Sequence, residues 1–282
     1  MSFKDIFNID PEVKESAHAR VNLIGEHTDY TGGYVMPTLL SFKNTIEISK
    51  NNSNEFTVYS QHFKEKKIFN DFKKSSNNEW VDYIKGCLYI FFDEHKISST
   101  YLNIYISSDI PLERGISSSS ALCVATLKAL NTFFETKIKD PEIAKLAKKV
   151  EFNYIGVSGG IMDQMVSAIG IHGKAFFMNC KNLEYELINF PENWKFCLID
   201  SEVQRNLRDS LYNKRYTELK DAEKKLDVDY LGAVKKDSFQ RDKLDNNKKE
   251  CILRRCYKLI SVTKIHSHAH KSPIQPCKWY GS

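Results

Sequence analysis

A polar loop that follows a predicted strand is the first segment whose residue types could do chemistry. It begins at Arg20 and carries Glu26, His27 and Asp29 between glycines. Two carboxylates and an imidazole on one short loop are suited to hydrogen bonding with the vicinal hydroxyls of a sugar. From the residues alone, an exposed polar loop without a ligand is the alternative and the commoner case, because loops are polar in general.

The second segment, PLERGISSSSA at residues 111–121, places a turn at Gly115 and four serines before a predicted helix. Backbone N–H groups and the helix dipole make such a helix start a natural anion site, and serine hydroxyls can bind phosphate or Mg²⁺. The Gly-Lys-Ser/Thr ending of a Walker A loop is absent. An ordinary serine cap of a helix is the alternative interpretation.

The third segment joins Glu151 to GVSGGIMDQ at residues 156–164. Its glycines allow close approach of the backbone, and Asp163 leads into the apolar helical run 165–169. One interpretation is a carboxylate held beside a reacting hydroxyl. The alternative is an acidic residue that stabilises the start of a helix.

Helices and strands must position these segments. Helix and strand signals alternate along the sequence, which predicts a mixed α/β protein. Strands are predicted at residues 20–24, 45–49, 57–60, 101–106, 175–178 and 196–199. Helices are predicted at residues 80–92, 121–134, 141–152 and 208–226. The first segment therefore follows a strand, while the second and third lead into helices.

The formal net charge of +5 over 282 residues is concentrated at one end of the chain. Residues 251–282 hold six basic side chains and no acidic one, which leaves residues 1–250 with 35 basic and 36 acidic side chains, or −1. A near-neutral body argues against a nucleic-acid partner, because such proteins present a basic face.

Other bulk features favour a cytoplasmic protein without a membrane partner. No apolar run approaches the roughly 18–20 residues of a membrane span, and the N-terminus lacks the pattern of a signal peptide. The seven cysteines are scattered, with no Cys-x-x-Cys pair that would suggest zinc. Reduced thiols in a cytosolic protein are the simplest interpretation.

Taken together, the three segments resemble the galactokinase family of the GHMP kinase superfamily. Residues 20–30, RVNLIGEHTDY, are close to the family signature, and residues 113–119 are similar to its nucleotide loop. Residues 160–164, GIMDQ, are similar to the segment that holds its catalytic aspartate. Residues 179–184 and 205–215 also look like this family.

The resemblance implies an α/β fold of two domains, of which the N-terminal one contains a mixed sheet. We expect the N-terminal GHMP kinase domain over residues 1–190, an incomplete C-terminal domain over 191–261 and an irregular basic tail over 262–282. Nothing in residues 231–282 resembles the third glycine-rich motif of the superfamily. We interpret the stretch from residue 262 as a shifted reading frame or an early truncation.

The resemblance also implies roles for individual residues. Asp163 would accept or orient the proton of the anomeric hydroxyl, and Arg20 would neutralise charge on Asp163 and on the transferred phosphoryl group. The residues implied to bind the sugar are Glu26, His27, Thr28, Asp29, Gly160 and Tyr212. The residues implied to bind ATP are Ser60, Glu113, Arg114, Gly115, Ile116, Ser117, Ser118 and Ser119. Mg²⁺ would be held by Ser119 and Glu151.

Three local departures from the family pattern stand near these residues. His18-Ala19 replaces the usual Pro-Gly before the arginine, and Leu211 stands where the family usually has glutamate. Glu113-Arg114 replaces Gly-Ala in the phosphate loop, which puts a carboxylate near the phosphates and removes a glycine.

The function that the resemblance implies is ATP-dependent phosphorylation of galactose to galactose 1-phosphate. Galactose and ATP are the expected partners of a monomer, although an incomplete second domain would favour association. Two alternatives stay open: an inert or impaired protein that still binds sugar or nucleotide, and a kinase for a related hexosamine.

Overall fold

A mixed α/β architecture, as predicted, is present in the computed structural model of the chain. The structure describes residues 1–75, 79–98, 100–111, 114–194, 196–199 and 211–234, with the backbone alone for 211–213 and 233. The strands are β1 Val13–Ile24, β2 Tyr34–Lys50, β3 Phe56–Ser60, β4 Glu65–Phe69, β5 Leu102–Ser108, β6 Lys174–Asn179 and β7 Tyr185–Asn189. The helices are α1 Phe3–Phe7, α2 Val81–His95, α3 Ser118–Phe133, α4 Asp140–Lys149, α5 Met162–Ile169 and α6 Leu211–Leu226. A π-helical segment, Val150–Ile155, continues α4, and a 3₁₀ turn spans Leu231–Ala233.

The long strand β2 organises the sheet. Its 17 residues pair with β1 along one edge, while β5 and β6 share its other edge at opposite ends. The order β4-β3-β5-β2-β6-β7 results, with β1 beside β2. The pair β3–β5 is parallel and the other pairs are antiparallel, so the sheet is mixed.

The main hydrophobic core of the described residues lies between this sheet and helices α2 to α5. The alternating Leu102, Ile104 and Ile106 of β5 face it, as the period of two in their sequence predicts. Phe91 and Leu88 of α2 are fully buried in the same core. The helices that carry the second and third chemical segments are therefore held by apolar packing to the sheet that carries the first.

Most predicted elements are confirmed, but the strand predicted at 196–199 is wrong. These residues form no regular structure, and Phe196, Leu198 and Ile199 are 47%, 50% and 88% exposed. An apolar run becomes a strand only beside a partner, and no described strand pairs with this one. The predicted helix start at 208–210 lies outside the described residues, as does the tail 262–282, and the domain boundary at 190 stays a prediction.

None of the described helices combines the length and the apolar character that crossing a bilayer requires.

The burial of α2 leads to a prediction about stability. Leu88→Ala should lower the free energy of unfolding by about 2–5 kcal/mol, because it removes buried methyl groups and leaves a cavity. Asp93→Ala on the same helix, where the side chain is exposed, should change it by less than about 0.5 kcal/mol. Urea denaturation followed by circular dichroism measures both, and equal losses would contradict the proposed core.

Candidate active site

β1 delivers Arg20 to the site at a break in its pairing with β2. His18 lies opposite Lys43, but the next pair joins Arg20 to Leu39, so the register shifts between them. Such irregularities commonly redirect a side chain. The backbone N–H of Arg20 donates to the carbonyl oxygen of Ile116 at 3.1 Å, which ties the strand to the loop before α3.

The Arg20 guanidinium forms a two-pronged ion pair with Asp163 at the start of α5. Nε donates to Oδ1 and Nη2 to Oδ2, each at 2.7 Å. A third donor, Nη1, reaches the carbonyl oxygen of Gly115 at 2.9 Å. Parallel N–H···O bonds fix both position and orientation, so one side chain aligns all three chemical segments.

In the loop before α3, the Ser117 side chain does not cap the first N–H groups of the helix. Gly115 and Ser117 have φ angles of +72° and +65°, the left-handed region that is uncommon for serine. The Ser117 hydroxyl donates to Asp163 Oδ2 and makes no capping bond to α3. Because Ser117 does not cap them, the first N–H groups of this 16-residue helix, with its dipole, suit an anion.

Glu151 lies in the π-helical segment, a type of irregularity frequent at functional sites. Its buried carboxylate accepts hydrogen bonds from the hydroxyls of Ser119 at 2.9 Å and Ser120 at 2.8 Å, and from the amide of Gln164. Burial raises the pKa of Glu151, while these three donors oppose the rise. The structure thus joins Ser119 to Glu151, the pair that the sequence predicts for Mg²⁺.

The donor set at Glu151 fits a magnesium ion that is bound mainly through a nucleotide. Among the described residues, no group of three or more His, Cys, Asp or Glu side chains could hold a metal. Mg²⁺ is commonly held by one or two carboxylates together with substrate phosphates and water. One carboxylate and one hydroxyl beside a helix start suited to an anion meet that requirement.

The loop after β1 is held in shape by its own threonines. The buried hydroxyl of Thr28 donates to the carbonyl oxygens of Gly25 at 2.5 Å and Tyr34 at 2.7 Å. The hydroxyl of Thr28, a predicted sugar ligand, is therefore engaged by backbone oxygens close to it in the chain. Nδ1 of His27 lies 2.6 Å from the hydroxyl oxygen of Tyr30, and Glu26 is exposed.

Asp29 lies where this loop meets the third segment, directly against Gly160. A Cβ added to Gly160 would lie 2.6 Å from Cβ of Asp29 and would overlap its carboxyl group. Burial and the negative charge of Asp163 raise the pKa of Asp29 to about 7, although Lys148 and Arg20 oppose the rise. A carboxylate that titrates near neutrality is typical of functional sites.

The remaining predicted residues lie at varied distances from this network. Ser118 accepts a hydrogen bond from Asn44 at its carbonyl oxygen, and Arg114 is exposed. Ser60 is buried at the end of β3, where its hydroxyl oxygen accepts a hydrogen bond from the N–H of Phe63. Glu113 and the side chain of Tyr212 lie outside the described residues.

Three residues of the network were missed by the sequence analysis. Ser120 and Gln164 directly follow predicted residues, but nothing in their types indicated that both reach Glu151. Lys148 donates to the carbonyl oxygen of Gly159, beside Asp29. Its only sequence signal is a position three residues before Glu151, which puts both on one helical face.

Comparisons with known proteins agree with this geometry. A family model described as GHMP kinases N terminal domain matches residues 82–171, and one described as Galactokinase galactose-binding signature matches residues 1–50. Galactokinase of Thermotoga petrophila is 35% identical over 230 residues, which are 81% of this chain and 64% of that protein. Galactokinase of Pyrococcus furiosus is 38% identical over 197 residues, 70% of this chain and 55% of that protein.

A solved structure of Lactococcus lactis galactokinase complexed with galactose superimposes with a TM-score of 0.84 at 28% identity, covering 95% of this chain and 72% of that one. The mixed sheet, its helices and the matched domain model define the class as GHMP kinases. Within that class, the chain belongs to the galactokinase family. It spans less than two thirds of the length of the curated relatives named above.

The raised pKa of Asp29 predicts how stability depends on pH. The unfolded chain releases this proton near the ordinary value of 3.8, whereas the folded chain holds it until about 7. The folded state therefore binds the extra proton between these values, and stability should fall as pH rises through this window. Asp29→Asn should remove that loss, so its Tm should exceed that of the wild type at pH 8 but not at pH 4.

Calorimetry at several pH values measures this difference. Asp93→Asn, at an exposed position on α2, should show no such dependence. A Tm difference between Asp29→Asn and the wild type that is the same at pH 4 and pH 8 would contradict the raised pKa.

Proposed function

We propose that the chain transfers the γ-phosphoryl group of ATP to the anomeric hydroxyl of galactose, giving galactose 1-phosphate. The observation that carries the proposal is the Arg20–Asp163 pair: Arg20 lies within the galactose-binding signature and also contacts Gly115 in the loop before α3. The galactose bound by the Lactococcus lactis relative supports the choice of sugar.

The sugar would be bound by the loop after β1 and the glycines before α5. Glu26, His27 and Asp29 supply acceptors and an imidazole for its hydroxyls. Gly160 lets the backbone approach, since any side chain there would collide with Asp29. Tyr212, at the second position of α6, is the remaining predicted contact.

The ATP phosphates would lie at the start of α3, within the segment 113–119. The first N–H groups of the helix and the hydroxyls of the serine run offer donors to an anion there. Ser119 and Glu151 would hold Mg²⁺, which neutralises phosphate charge when it is bound. Ser60 is a further predicted nucleotide contact.

Asp163 is the proposed base, and the guanidinium group of Arg20 neutralises the negative charge of its carboxylate. The anomeric oxygen forms a bond to the γ-phosphorus while the bond from phosphorus to the β–γ bridging oxygen breaks and ADP leaves. The proton of the hydroxyl passes to the carboxylate of Asp163, which Arg20 and Ser117 hold in one orientation. Positioning and charge neutralisation are the main demands of such a transfer, because its transition state is loose and anionic.

Asp163→Asn tests the central role. It should lower kcat by roughly 100-fold or more while sparing galactose binding, because the amide cannot accept the proton but occupies the same space. A coupled assay of ADP release measures kcat, and calorimetric titration measures galactose binding. Asp93→Asn serves as the matched surface control.

The same assay separates the alternatives. Galactose binding by the wild type without ADP release would favour an inert protein and reject the proposed activity. Faster turnover of an N-acetylated hexosamine than of galactose would redirect the proposal to a hexosamine kinase. Retained turnover in Asp163→Asn would refute Asp163 as the base.

Gly160→Ala tests the sugar site apart from the chemistry. The added methyl group must displace the Asp29 carboxyl, so KM for galactose should rise about tenfold, as for one lost charge-assisted hydrogen bond, with a smaller change in KM for ATP. Ser158→Ala, in the same loop, should leave both constants unchanged. An unchanged galactose KM in Gly160→Ala would exclude Asp29 from sugar binding.

A further inference from the structure

Lys148 is a half-buried cation that the proposed chemistry does not use. It lies in the last turn of α4, and its ammonium group donates to the carbonyl oxygen of Gly159. The same group lies 5.4 Å from the centre of the Phe152 ring. Burial lowers the pKa of Lys148, whereas the charges of Glu151, Asp29 and Asp163 oppose that change.

We propose that Lys148 is a positioning residue of the sugar site: it fixes the Gly159–Gly160 backbone against Asp29 and supplies the second positive charge among three carboxylates. The assignment to sugar binding rests on the proposed function. The contact with Gly159 and the charge arrangement are independent of the proposed function.

The backbone contact determines where Asp29 can lie. Gly159 is held by the ammonium group, and its neighbour Gly160 is packed so closely on Asp29 that no Cβ fits between them. A shift of this loop would therefore press Gly160 onto the Asp29 carboxyl group or draw it away. Lys148 thus positions Asp29 through the backbone, without a bond to it.

The charge balance gives Lys148 a second effect on Asp29. The negative charge of Asp163 acts on both Asp29 and Glu151, all three carboxylates act on Lys148, and Arg20 is engaged by both oxygens of Asp163. The charged groups that act on Asp29 are Asp163, Lys148 and Arg20, and the Cys180 thiol also lies close to it. Of the two cations, Lys148 has the larger effect on Asp29.

Two neighbouring lysines show what an ordinary surface role on α4 looks like. Lys145 pairs with Glu142 on its own helix, and Lys149 pairs with Glu94 of α2, all at well-exposed side chains. Such exposed pairs contribute little to stability. Lys148 instead turns inward to a glycine carbonyl, although the helix end already has Lys149 beside its dipole.

The first test measures the pKa of the Asp29 carboxyl group by ¹³C NMR in the full chain, with the resonance assigned from Asp29→Asn. Lys148→Met should raise this pKa above the wild-type value, because a nearby positive charge is lost. Lys148→Arg should hold it close to the wild-type value, and Lys145→Met should leave it unchanged. An Asp29 pKa in Lys148→Met equal to that of Lys145→Met overturns the proposal.

The second test measures galactose KM and kcat against pH. Lys148→Met should raise galactose KM at pH 7 about tenfold, as expected for a lost charge-assisted contact, with kcat changed much less. The pH at which galactose binding develops should move upward together with the Asp29 pKa, and Lys148→Arg should restore both. A purely structural role would alter stability without moving this pH dependence, and that result would also overturn the proposal.

If Lys148→Met does not fold, Lys148→Gln carries the test, since it keeps a donor for Gly159 but removes the charge, and it should still raise the Asp29 pKa. If the wild type neither binds nor phosphorylates galactose, the proposed function fails. The NMR titration then still decides whether Lys148 controls Asp29.

Discussion

The bidentate pair between Arg20 and Asp163 is the interaction on which the site depends. It joins β1 to α5, and the third donor of the guanidinium adds the loop before α3 through Gly115. Withdrawing two charges from water is costly and is repaid only by well-aligned partners. These partners exist because the core holds the strand and both helices in one arrangement, so apolar packing determines the geometry of the charged centre.

Three carboxylates at this centre are compensated in different ways. Asp163 has an arginine, and Glu151 has hydroxyl and amide donors, which lessen its need for a counter-ion. Burial and the negative charge of Asp163 raise the pKa of Asp29 to about 7, and the charges of Lys148 and Arg20 oppose this rise only in part. The least compensated acid is also the one proposed to bind sugar, which is consistent with a site that gives up stability for function.

Local patterns predicted most of the fold because the core imposes a clear periodicity. The alternation in β5 and the apolar spacing of the helices follow from burial on one face. The segment 196–199 shows the limit of this reasoning, because its apolar residues resemble a buried strand but have no described partner. Similarly, Thr28 has the residue type of a ligand, yet its hydroxyl is occupied by the loop backbone.

The sequence by itself determined the family signature, the order of the elements and the residue types that could hold a sugar and a phosphate. These features are local, since they depend on neighbours within one strand, loop or helix turn. Only the tertiary structure decided which charges meet, because Arg20 and Asp163 are 143 residues apart in sequence. The inward turn of Lys148 was decided there as well, since hydrogen bonding and the electrostatics of burial depend on distances in space.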